Sequence, residues 1–164
     1  EQLDELQDEY GMIPNIFLAM ANAPAVLEGY LACCTALRGG VLPASLREQI
    51  ALAVSESNHA AYCLAAHAAI GRSIGLSEET IADARQGFST NRGTEAILRF
   101  AQELVRNRGR IQEEDFTRLR HAGYQNDEII EVIANVAMTL FTNYFNQAIQ
   151  TESDLPAVPD LAYT

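Results

Sequence analysis

Residues 48–67 read Glu48-Gln-Ile-Ala-Leu-Ala-Val-Ser-Glu-Ser-Asn58-His59-Ala60-Ala61-Tyr62-Cys63-Leu-Ala-Ala-His67, two Ala-rich apolar halves on either side of a short polar break. Just upstream, Ser45-Leu46-Arg47-Glu48 fits the S-x-x-E capping box ahead of Ile50, Leu52 and Val54, so a helix is predicted to begin near Ser45 and to fade at Ser57-Asn58. Downstream, Cys63, Ala66, His67, Ile70 and Ile74 fall on one stripe of a second helix, and Gly75 is its expected left-handed stop. The two helices with their short break make a helical hairpin.

The same periodicity continues on both flanks. Val26, Leu27, Tyr30, Leu31, Cys34 and Leu37 recur at three and four, an amphipathic helix entered through Pro24 and stopped at Gly39-Gly40. Before it, Gly11-Met12-Ile13-Pro14-Asn15-Ile16-Phe17 breaks the pattern, so the amino-terminal residues are expected as shorter helical pieces joined by a turn. Ser77 caps a short helix through Ile81 and Ala84, Thr94 opens one that buries Ile97, Ala101, Leu104 and Val105, and a further short helix holds Phe116 and Leu119 before Gly123. The last runs from Asn126 or Asp127 to about Ile149 with a broad stripe of Ile129, Ile130, Ile133, Val136, Leu140, Tyr144 and Phe145. At 1.5 Å per residue it spans roughly 35 Å, as a central pillar or as part of a subunit interface. After it, Asp154-Leu155-Pro156-Ala157-Val158-Pro159-Asp160 has no helical period, which predicts an extended tail at about 151–164. With no strand alternation and no internal repeat, the fold class is all-α, one domain over residues 1–164.

Composition limits what such a fold can do. The 164 residues are 48% hydrophobic and 20% charged, enough apolar side chain for a packed core. Eleven cations against 22 carboxylates give a net charge of −11, which repels phosphate backbones and anionic lipid, so nucleic acid and membrane are not expected partners. All eleven cations are Arg, which removes Schiff-base chemistry and a P-loop lysine together. Of three cysteines, Cys33 and Cys34 are neighbours and outline no disulfide framework. No run approaches a membrane span, and Glu1-Gln2-Leu3-Asp4 lacks the order of a signal peptide, so a reducing, cytoplasmic location is expected.

Cys63 and His67, at i and i+4, share a helix face. Cys63 also lies near a helix start, where unpaired backbone N–H groups favour a thiolate, with His67 as a candidate proton acceptor and Glu48 as a carboxylate to orient it. The same residues admit plainer roles: a core cysteine on an apolar stripe, a core histidine, and the N3 glutamate of a capping box. His59 in the turn is read as solvated, and no metal site is expected from His59, Cys63 and His67. Arg106, Arg108 and Arg110 cluster where a helix ends and cations offset its carbonyl dipole.

Glu48, Asn58, Tyr62, Cys63, Ala65-Ala66 and His67, followed by Gly75-Leu76-Ser77, resemble the carboxymuconolactone decarboxylase superfamily, and within it the alkylhydroperoxidase D-like, peroxidase-related proteins. The likeness extends to Gly11–Phe17 and to the last helix with Asn143 and Asn146. The family's run is a Glu, about a dozen residues, then C-x-x-C-x-x-x-H, and here Ala60 stands in place of its first cysteine. The resemblance implies an alkylhydroperoxidase D-like helical bundle, a homo-oligomer (trimer or hexamer), and a thiol-dependent peroxidase-like oxidoreductase without bound cofactor. In it Cys63 is the redox nucleophile, His67 the relay and Glu48 the orienting group, acting on a peroxide with a thiol reductant. Its alternatives, after that leading reading, are a carboxymuconolactone decarboxylase-like lyase and a catalytically silent oligomeric binding member. With Ala60 in the motif, the in-motif disulfide cannot form.

Overall fold

The computed structural model describes residues 2–161 and is built from helices: α1 (Gln2–Tyr10), α2 (Asn15–Met20), α3 (Pro24–Arg38), α4 (Ala44–Ser57), α5 (Ala61–Ser73), α6 (Glu78–Arg85), α7 (Arg92–Arg106), α8 (Glu113–His121) and α9 (Asn126–Ile149). Among the described residues there is no strand, as the all-α reading expects. Glu1 and residues 162–164, the end of the expected tail, lie outside the described residues.

The pillar is α4, not the longer α9. Every residue from Gln49 to Ser55 is buried, because α4 packs against α5, α6, α7 and α9 at once. A helix apolar on all sides suits such a position. Its start differs from the capping box predicted at Ser45: Pro43 is the N-cap residue, Ala44 opens the helix, and no side chain caps it. Proline at the entry supplies the fixed backbone angle without a hydroxyl, which frees Glu48 for a partner elsewhere. Of the glycine pair after α3, Gly39 caps the helix and Gly40 leaves room for a side chain of α9. Glu131 of α9 accepts from the Val41 and Leu42 N–H groups at 2.8 and 3.1 Å, and a Cβ on Gly40 would fall on that carboxylate. Asn91 rather than Thr94 caps α7, its side chain accepting from the Thr94 N–H at 3.0 Å.

On α9, Ile129, Val132 and Val136 are buried as the pattern requires, but Ile130 and Tyr144 are 66% and 60% exposed. Thr139, Thr142, Asn143 and Asn146 take the inward face of the carboxy-terminal half. The fully buried Asn143 amide donates to Ser55 Oγ at 3.1 Å and accepts from Asn58 Nδ2 at 2.9 Å, and Gln147 donates to the Asn58 carbonyl at 2.8 Å. These bonds hold the end of α4 and the reversal after it, where His59 takes a left-handed φ of 53°.

Two apolar clusters result. The larger joins α4, α6, α7, α8 and α9 with Leu64 and Ala68 of α5. The smaller joins Leu6, Ile16, Phe17, Met20 and Leu27 of α1–α3 to Ala60, Tyr62 and Cys63. Residues 151–161 are extended yet tied down. Asp154 Oδ2 accepts from the Asn15 N–H at 2.6 Å, Asn15 Nδ2 donates to the Glu152 carbonyl, and Arg85, buried and paired with Glu56 at 2.6 Å, donates to the Pro159 carbonyl at 2.8 Å.

Asn143→Ala removes one amide and strands the Ser55 hydroxyl and Asn58 amide in the interior, a change worth about 2–3 kcal/mol. Urea unfolding should show a lower midpoint at unchanged slope, whereas Ile130→Ala, at an exposed position nearer the start of the same helix, should stay within about 0.5 kcal/mol of the parent.

Candidate functional site

Helix α5 begins immediately after the reversal, so its first turn is placed by whatever holds Asn58 and His59. Ala60 is its N-cap residue and offers no side-chain acceptor, and its own N–H donates to the Ser55 carbonyl at 2.9 Å. Ala61, Tyr62 and Cys63 form the first turn, where backbone N–H groups lack intrahelical acceptors and the helix dipole favours negative charge. Leu64 and Ala68 turn toward the larger cluster and Cys63 toward the smaller, leaving the thiol 3% exposed beneath α1–α3. The stripe expected from Cys63 to Ile74 is therefore split, with Ile74 exposed at the far end.

Packing of α4 on α5 brings Glu48 to His67, with Nδ1 2.8 Å from Oε2 and both side chains mostly shielded. With Glu48 ionised, Nδ1 carries the proton and Nε2 is left as the basic nitrogen. The structure thus brings Glu48 and His67 together. Cys63 sits one helical turn from His67, but among the described residues its sulfur is hydrogen-bonded by another group, Asn146 Nδ2, at 3.3 Å. Asn146 Oδ1 in turn accepts from Thr151 Oγ1 at 2.7 Å. Asn146 stood in the sequence only as part of the resemblance on the last helix, with no bond to Cys63 expected of it, and Thr151 was not singled out. The signal that could have found the asparagine is the run Thr139, Thr142, Asn143, Asn146, a polar stripe at helical spacing on an apolar helix.

Tyr62, beside Cys63, accepts from the Ile16 N–H at 3.4 Å; burial and then the neighbouring Asp154 carboxylate push its phenol well above the usual range, so it stays neutral. Cys34 lies where α3 passes the Glu48 carboxylate. Burial pushes its thiol up, the hydrogen bond with Tyr30 opposes this, and Glu48 adds to the rise. Cys33 is exposed on the same helix and His59 is exposed in the turn. Among the described residues no cluster of His, Cys, Asp and Glu has the makings of a metal site. Arg106 ends α7, whereas Arg108 and Arg110 follow it in a loop and line an open surface groove with Arg118, a groove that includes none of Glu48, Cys63 or His67.

Among known proteins, a sequence model described as the carboxymuconolactone decarboxylase family matches residues 24–105, from the start of α3 to the last turn of α7. The fold is similar to that of an uncharacterized peroxidase-related protein from Silicibacter sp. TM1040, with a TM-score of 0.85 and 26% identity over 92% of this chain and 82% of that one. It is also similar to an alkylhydroperoxidase AhpD core, an uncharacterized peroxidase-related protein from Ralstonia eutropha JMP134, with a TM-score of 0.83 and 28% identity over 93% and 83% of the two chains. The debrominase Bmp8 shares the fold at a TM-score of 0.81 and 21% identity, over 93% of this chain and 83% of that one. Among curated proteins, none matches the chain.

The surroundings of the two α3 cysteines order their reactivity. Cys33 should alkylate first at pH 8. Cys34, held as the neutral thiol by burial, should label slowly there and speed up as pH rises past the ordinary thiol range. Peptide-resolved alkylation rates between pH 7 and 10 check this, and equal rates for the pair at pH 8 would contradict it.

Proposed function

The chain belongs to the carboxymuconolactone decarboxylase family, and from that membership we propose that it is a thiol-dependent peroxidase-like oxidoreductase, with Cys63 as redox nucleophile, His67 as proton relay and Glu48 as the group that orients it. The observation that carries this reading is the Glu48–His67 pair, closed at 2.8 Å one turn beyond a cysteine in the first turn of α5. The relatives described as peroxidase-related support the same chemistry.

In the proposed cycle His67 Nε2 takes the Cys63 proton, through water or the peroxide itself, and Glu48 stabilises the imidazolium. The thiolate attacks one peroxide oxygen and the O–O bond breaks. Cys63 becomes a sulfenic acid, and the departing alkoxide takes the proton back from His67 and leaves as an alcohol. Because Ala60 provides no second thiol, a dithiol from solution restores the enzyme. Its first sulfur condenses with the sulfenic acid and releases water, and its second attacks that first sulfur, so that Cys63 leaves as the thiol and the reductant departs as its own disulfide. The aliphatic and aromatic side chains around Cys63 favour an organic hydroperoxide over hydrogen peroxide.

We extend the proposal to the state of the molecule: one domain, cytoplasmic, and a homo-oligomer. Support for the last comes from α3, which buries only Leu27 of its fifteen residues, and from Phe141, Tyr144 and Ile149, which leave apolar surface exposed on α9.

Turnover of an organic hydroperoxide with a dithiol tests the reading. Cys63→Ser should abolish it, and His67→Ala should lower it about 100-fold or more. Ala60→Cys places two thiols at the start of one helix and should raise turnover while forming the Cys63 disulfide. Full activity in Cys63→Ser would overturn the proposal, and a disulfide formed without any gain would point to a different reaction at the same residues.

A further inference from the structure

The Cys63 sulfur lies in an apolar cluster of Ile16, Phe17, Met20, Leu27 and Tyr62, 3% exposed. A thiolate there has little water to solvate it, and an anion without donors in such a place is costly. His67 is bonded to Glu48 through Nδ1 and is not hydrogen-bonded to the sulfur among the described residues. The donor that reaches it is Asn146 Nδ2 at 3.3 Å, from a side chain that is itself buried.

An asparagine amide presents a donor at one end and an acceptor at the other, so its orientation decides which form of the sulfur it suits. With nitrogen toward the sulfur it favours the thiolate; with oxygen toward the sulfur it suits only the protonated thiol. The far end of this amide is engaged, since Thr151 Oγ1 donates to Oδ1 at 2.7 Å and so leaves Nδ2 for the sulfur. Thr151 is held in turn by its location. Its N–H donates to the Asn146 carbonyl at 3.0 Å, just past Gln150, which ends α9 in a left-handed conformation, and three residues on Asp154 is tied to Asn15.

We propose that Asn146 is the donor that stabilises the anionic Cys63 sulfur, and that Thr151 is a positioning residue which turns the amide so that its nitrogen faces that sulfur. The inference rests on the reading of Cys63 as the reactive thiol and adds a donor outside the Glu48–His67 pair. Through it, the segment following α9 takes part in setting the reactivity of a residue in α5.

The test reads thiolate formation directly, by ultraviolet absorbance against pH, in full-length protein carrying Cys33→Ser and Cys34→Ser so that the signal comes from Cys63. Asn146→Asp is nearly isosteric and replaces the donor with a carboxylate oxygen. It should shift the profile to higher pH by about one unit, which lowers the thiolate fraction near neutrality about tenfold. Asn146→Ala and Thr151→Val should shift it in the same direction by less, and Thr151→Ser, which keeps the hydroxyl, should restore the parent profile. A profile unmoved in both Asn146→Asp and Asn146→Ala overturns the donor role, and one unmoved in Thr151→Val overturns the positioning role. If the Asn146 variants do not fold, the contrast between Thr151→Val and Thr151→Ser decides, because an equal profile in those two removes the basis for the amide's orientation. Peroxide takes no part in this measurement, so failure of the peroxidase assay and failure of the amide's role are separate outcomes.

Discussion

The Asn143 amide, buried within the helical bundle, is committed at both ends to the join between α4 and α5, to the Ser55 hydroxyl on one side and the Asn58 amide on the other. Burying an amide is tolerable only when its hydrogen bonds are made, so this contact fixes the register of α9 against the hairpin far more narrowly than apolar packing would. An apolar face can slide by part of a turn at modest cost, but a buried polar pair cannot. With α9 fixed there, Asn146 and Gln147, about one turn beyond Asn143, reach Cys63 and the carbonyl of Asn58 respectively.

The two apolar clusters divide their work accordingly. The larger, around α4, holds Glu48 against His67 through the packing of α4 on α5. The smaller is a cover, made by α1–α3 and closed over the first turn of α5. Cys63 lies on the boundary, with its backbone in the hairpin and its side chain under the cover. The Glu48–His67 pair and the thiol are thereby kept in different surroundings, one part-exposed and polar, the other dry.

Much of this was legible in the sequence because helix ends carry local signals. Gly39, Gly75, Gly87 and Gly123 mark the stops, Ser77 caps α6 as read, and α9 runs from Asn126 to Ile149 as its pattern proposes. Local signals also misled where two of them compete. Ser45-x-x-Glu48 has the form of a capping box, yet Pro43 already sets the entry to α4, and Glu48 finds a stronger partner in a histidine nineteen residues away. Apolar periodicity placed Ile130 and Tyr144 inward, whereas both are exposed, and the buried face of the carboxy-terminal half of α9 is polar because it meets the Ser55, Asn58 and Cys63 side chains of the hairpin. Glu48 and His67 could be read as a pair once a hairpin was supposed; the partner of Asn146 could not, because its contact with Cys63 links residues 83 apart in the chain, and Thr151 takes its meaning only from that contact.

The bond between Asn15 and Asp154 joins positions separated by 139 residues. On the ribosome, α2 therefore emerges long before the carboxylate that receives its first N–H, and Ile16, Phe17 and Met20 have no finished surface to bury against until α5 and α9 have followed. Local helices form early, but a cover assembled from the two extremities of the described chain closes last. Ile16, Phe17 and Met20 of α2 consequently stay uncovered while most of the chain is made, and the dry environment of Cys63 is complete only once α9 and the segment after it have docked.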